Sequence, residues 1–98
     1  MIVIAILEAK PGKEHQLETA LRGLIPQVQT EESTLAYILH RAEQSPGKFL
    51  FYERYSDKAA FDRHSATTYL KETLESVSPL LKGDAILETY EEIAAIVR

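Results

Sequence analysis

The chain has 98 residues, 45% of them hydrophobic and 27% charged, with a formal net charge of −4, the profile of one globular domain. The acidic balance offers no basic surface for a phosphate backbone, so nucleic acid is not an expected partner. Zero cysteines exclude disulfides, thiolate-held metals and a cysteine nucleophile, and no apolar run reaches the ~18 residues of a membrane span.

Met1 leads directly into an apolar run with no basic stretch before it, so a cytoplasmic protein with no membrane partner is expected. Residues 2–9 place Ile2, Ile4 and Ile6 on one face of a strand and Val3, Ala5 and Leu7 on the other. A strand apolar on both faces is covered on both faces. Lys10-Pro11-Gly12 closes it. Over residues 13–31 the spacing of Leu17, Ala20, Leu21, Leu24, Ile25 and Val28 predicts one amphipathic helix. Pro26 falls on its solvent side and kinks it there.

Leu35–Glu43 and Lys48–Tyr55 read as a hairpin turning at Gln44-Ser45-Pro46-Gly47. Ser56-Asp57 can cap a short helix carrying Ala60, Phe61 and His64, and Ser65 restarts a second one bearing Tyr69, Leu70, Leu74 and Val77. A last strand is expected from near Asp84, while residues 91–97 fit strand or helix. The order β-α-β-β-α-β is the ferredoxin-like pattern, an α+β fold with helices on one face of an antiparallel sheet. The other face would be open, yet its strands are apolar and a domain this small has a modest core. A second copy packed sheet against sheet would cover it, so a homodimer is expected.

Nucleotide-binding, zinc-protease and serine-hydrolase motifs are absent. His15, His40 and His64 lie too far apart for a local metal site, and none is expected. The adjacent pairs Glu31-Glu32 and Glu91-Glu92 read as solvated. On the second hairpin strand, Glu53 shares a face with Phe49, Phe51 and Tyr55. It is either a structural ion pair with Arg41 or Arg63, or a polar group held in an apolar pocket. His64, three after Phe61, is either a helix-end histidine on the C-terminal dipole or a general base. His40, with Ala36 and Ile38, is open between packing and pocket lining. Five tyrosines suit a pocket for a flat, oxygen-bearing aromatic ligand.

Tyr37, the run Phe49-Leu50-Phe51-Tyr52-Glu53-Arg54-Tyr55 and Phe61-Asp62-Arg63-His64 together resemble the antibiotic biosynthesis monooxygenase domain family, including its quinol-monooxygenase-like members. The resemblance implies a dimeric α+β barrel with one pocket per subunit between helices and sheet. It also implies oxidation of a quinol or hydroxylated polycyclic aromatic by O₂ without metal or flavin. Carried over, His64 is base or hydrogen-bond donor and Glu53 its orienter or a brace. Tyr37 and Tyr55 are pocket lining by the same resemblance, and Phe51, Tyr69 and His40 are expected to line the substrate with them. The chain departs from the family pattern at Glu32-Ser33-Thr34, at Tyr55 where tryptophan is frequent, and at Thr68-Tyr69 where a Pro-His pair is frequent. Haem-degrading relatives use an Asn-Trp-His set, and this chain has neither asparagine nor tryptophan. The competing expectations are an isomerase of a keto or phosphorylated sugar and a dimeric binding module without turnover.

Overall fold

A computed structural model describes the whole chain, Met1–Arg98. Four strands, β1 (Ile2–Glu8), β2 (Thr34–Ala42), β3 (Ser45–Tyr55) and β4 (Ile86–Tyr90), form one antiparallel sheet in the order β2-β3-β1-β4. Helices α1 (Glu14–Arg22) and α2 (Leu24–Val28) connect β1 to β2. Helices α3 (Lys58–Ser65) and α4 (Thr68–Val77), with a 3₁₀ turn at Ser78–Leu80, connect β3 to β4. This is the expected ferredoxin-like α+β arrangement. No helix is long and apolar enough to cross a membrane.

Strand pairing fixes what shares a face. Val3, Ala5 and Leu7 sit opposite Glu53, Phe51 and Phe49, and Tyr37 and Leu39 continue the row on β2. The helices cover this face. Leu17 and Leu21 of α1, Leu24 and Val28 of α2 and Val77 of α4 pack with Leu7, Phe49 and Phe51 into the main core. Each such fully buried side chain contributes roughly 1.5–3 kcal/mol of transfer free energy. A smaller cluster of Val3, Tyr55 and Ala60 holds α3 against β1 and β3. The opposite row, Ile4, Ile6, Ile38, Leu50, Tyr52, Ile86 and Tyr90, faces outward with no layer over it, and Ile38, Ile86 and Tyr90 are exposed.

Four local expectations change. The single kinked helix is two, broken at Gly23, because Pro26 has no N–H to donate to the Arg22 carbonyl; Pro26 is exposed, as its position predicted. The hairpin turns at Glu43-Gln44, and Pro46 and Gly47 lie inside β3. Ala42 pairs with Ser45 and Arg41 with Phe49, so residues 46–48 bulge away from β2, although Lys48 still pairs with Glu8 and the Gly47 carbonyl accepts from Ala9; such a bulge tolerates a proline without its ladder hydrogen bond. Thr67 rather than Ser65 is the N-terminal boundary of α4, while the expected cap at Ser56-Asp57 is made by Asp57, whose Oδ1 accepts from the Ala60 N–H at 2.8 Å. Beyond Tyr90 the chain forms neither strand nor helix and leaves Ile93, Ile96 and Val97 exposed.

Candidate functional site

Two neighbouring features of the covered face converge between α3, α4 and the sheet. The Asp57 cap starts α3 so that Ala60 and His64, one turn apart, both point inward and are buried. The His64 ring packs between two tyrosines, its centroid 5.2 Å from that of Tyr37 and 5.4 Å from that of Tyr55. Tyr37 in turn stacks on Phe51 at 4.6 Å. The rings of His64, Tyr37 and Phe51 form one wall of a cavity of about 240 Å³, lined by 15 residues of which 12 are hydrophobic. His64, Glu53 and Tyr37 are the ionisable groups on that wall, and no lysine or arginine reaches it.

Glu53 is buried in this aromatic row. The Tyr55 hydroxyl donates to its Oε1 at 2.5 Å, and the other oxygen has no protein partner yet is not sealed in the packing. Burial dominates its acidity and pushes the carboxyl up to about 7; the Tyr55 hydrogen bond opposes this and the Glu31 charge adds to it. Near neutral pH Glu53 therefore exchanges between carboxylic acid and carboxylate. Tyr55 and Tyr37 are both shifted well above the usual phenol range, first by burial and then by the Glu53 hydrogen bond or charge, so both stay protonated.

On the other side of the His64 ring, Nδ1 lies 2.9 Å from Glu31 Oε1 and 3.2 Å from Oε2. Glu31 sits in the turn between α2 and β2, anchored by its N–H to the Val28 carbonyl at 2.8 Å. Its carboxylate also accepts from Thr34 Oγ1 at 2.7 Å and from the Tyr69 hydroxyl. Tyr69 is pushed up to about 12 by burial and by that hydrogen bond, and so remains the donor. His64 Nε2 has no protein partner and is not sealed.

The profile of the family described as antibiotic biosynthesis monooxygenase matches residues 1–76 of this chain. The chain belongs to that family. Among solved structures it is similar to an antibiotic biosynthesis monooxygenase at 27% identity and TM-score 0.89, over 96% of this chain and 100% of that one. It is similar to protein SO0527 of Shewanella oneidensis at 32% identity and TM-score 0.89, over 96% and 91%. Protein sll1783 of Synechocystis, itself uncharacterised, is 26% identical over 91 residues; the match covers 93% of this chain and 62% of that relative's length.

In this family member the expected site residues fall into three groups. His64, Glu53, Tyr37 and Phe51 line the apolar cavity. Tyr55 and Tyr69 stand behind it, each donating to a carboxylate, Glu53 and Glu31 respectively. His40 is not part of it. Strand alternation places His40 with Ala36 and Ile38 on the outer face, exposed, with Nδ1 3.3 Å from the Leu50 carbonyl oxygen. Glu53 is neither paired with an arginine nor hydrogen-bonded to His64: Arg41 pairs with Glu18, Arg63 reaches Ser33, and Arg54 pairs with Glu92 outside. The partner of His64 is Glu31, which the sequence placed in solvent. No local pattern marks Glu31, because it and His64 stand 33 positions apart and are brought together only by packing α3 beside the α2–β2 turn. No three His, Asp or Glu side chains converge as a metal site.

Proposed function

We propose that this family member is a monooxygenase that oxidises a small quinol or phenol with O₂, without a bound cofactor. The observation that carries the reading is an apolar cavity lined by His64 and Glu53, whose Nε2 and second carboxyl oxygen have no protein partner. Its volume of about 240 Å³ lies just below the ~300–1,000 Å³ of drug-sized sites and suits one or two rings better than a long polycyclic ligand. The absence of lysine and arginine from its lining disfavours a phosphorylated sugar.

In this mechanism His64 Nε2 takes the substrate hydroxyl proton. The electron-rich anion passes one electron to O₂, and the resulting radical and superoxide combine into a new C–O bond. Loss of water from that peroxide leaves a carbonyl, so one oxygen atom enters the product, the other enters water, and the substrate supplies all four electrons. Glu53, whose carboxyl burial pushes up to about 7, donates a hydrogen bond to the second substrate oxygen when protonated. Tyr37 and Phe51 hold the ring plane. A homodimer formed through the open sheet face is the proposed working unit, supported by the outward row of Ile4, Ile6, Ile38 and Leu50.

The test is O₂ uptake with a panel of hydroquinones and anthrones. Uptake by the wild-type protein, reduced about 100-fold or more by His64→Ala, is expected. No uptake with any substrate moves the reading to a binding module, and uptake unchanged by the substitution removes His64 from the chemistry.

A further inference from the structure

Behind the apolar cavity lies a second one of about 230 Å³, lined by polar groups that include Glu31, Glu32, Ser33, Thr34, Arg63 and Thr67. At ~30 Å³ per molecule it has room for several waters, with the side chains of Glu31, Glu32, Ser33, Thr34, Arg63 and Thr67 as polar partners. His64 is the one residue common to the linings of both cavities. Its buried ring is a partition between them, with Nδ1 committed to Glu31 and Nε2 unpartnered.

We infer that His64 and Glu31 form a proton relay joining the apolar cavity to the polar one, so that Glu31 accepts protons as well as orienting the ring. The inference rests on the proposed proton abstraction by His64. With Glu31 ionised, Nδ1 carries the imidazole proton and the Nε2 lone pair is free for substrate. As Nε2 takes the substrate proton, the Nδ1 proton moves to Glu31 Oε1 and on to water in the polar cavity. His64 is left neutral with its proton on Nε2. It returns that proton to the developing peroxide, and Nδ1 is refilled through Glu31. One proton leaves and one returns, in keeping with a reaction whose only by-product is water.

The surroundings favour this direction. Tyr37 and Tyr55 pack on the ring, and 12 of the 15 residues lining the adjoining cavity are hydrophobic, so an imidazolium there would be poorly solvated. On the far side the Glu31 carboxylate is held by Thr34 and Tyr69, with Glu32 and Arg63 beside the same polar space. Glu31 is thus fixed before the proton arrives.

Two substitutions separate orientation from transfer. Long-range ¹H–¹⁵N spectra of the resting protein should show His64 protonated on Nδ1 in wild type and in Glu31→Gln, whose amide oxygen still accepts. Glu31→Ala should give a tautomer mixture, with the backbone spectrum reporting that the fold is kept. Anaerobic mixing with hydroquinone, followed by phenolate absorbance, should then be slowed about tenfold or more by Glu31→Gln at unchanged hydroquinone Kd, because an amide cannot take the proton. A wild-type spectrum with the proton on Nε2, or a Gln variant as fast as wild type, overturns the relay. A wild-type protein that forms no phenolate overturns the quinol reading and the relay with it, and is told apart by that control.

Discussion

On the helix-covered face of the sheet, Glu53 is 4% and His64 3% exposed, enclosed by Tyr37, Phe51 and Tyr55. On the opposite face Ile38 is 48%, Ile86 52% and Tyr90 52% exposed. The two faces depart from ordinary patterning in opposite directions. A buried ionisable pair costs free energy unless each member is hydrogen-bonded, and here each has its own partner, Tyr55 for Glu53 and Glu31 for His64. Exposed isoleucines cost little in a lone chain but mark a surface suited to association.

The sharpest way to break this contrast is to damage the covered face. Phe49 is buried in the main core, and Phe49→Ala should cost about 3–5 kcal/mol in urea unfolding, whereas a cost below about 1 kcal/mol would mean the core lies elsewhere. The next effect is a pH dependence. Folding raises the Glu53 pKa from 4.5 to about 7, so the folded protein holds this proton more tightly than the unfolded chain. Between those values the unfolded chain has already released it, and stability falls as pH rises, by roughly 3 kcal/mol in all at Glu53. Glu53→Gln should remove this fall and flatten the stability curve from pH 4.5 to 7; an unchanged slope would show that Glu53 titrates normally. The smallest effect on the folded chain is expected outside. Ile38→Asp should leave monomer stability within about 0.5 kcal/mol. It should nonetheless shift the light-scattering mass from twice the 11.1 kDa chain mass to one. A wild-type monomer at micromolar concentration would remove the homodimer from the proposal.

Much of the covered face was legible in advance because its rules are short-range. Glu53 and Tyr55 are two apart on a strand and so share a face, but only the structure shows the hydrogen bond between them, where an arginine pair was one of two open readings. Phe61 and His64, three apart on a helix, share a face for the same kind of reason. His40 was open between two roles because alternation says which residues it accompanies, not which face the helices cover. Glu31 was misread because an adjacent acidic pair in a turn looks solvated until something packs over one of its members.

The sequence alone determined the strand and helix order, the face that carries Glu53, the Asp57 cap region and the exposed side of the first helical stretch on which Pro26 falls. Each follows from side-chain periodicity or backbone chemistry within a few residues. Only the tertiary structure decided that His64 turns Nδ1 to Glu31, that His40 looks outward, that Pro46 lies in a bulge, and that one imidazole separates two cavities. Those are distances between segments remote in sequence, set by how helices and sheet pack, and no local pattern encodes them.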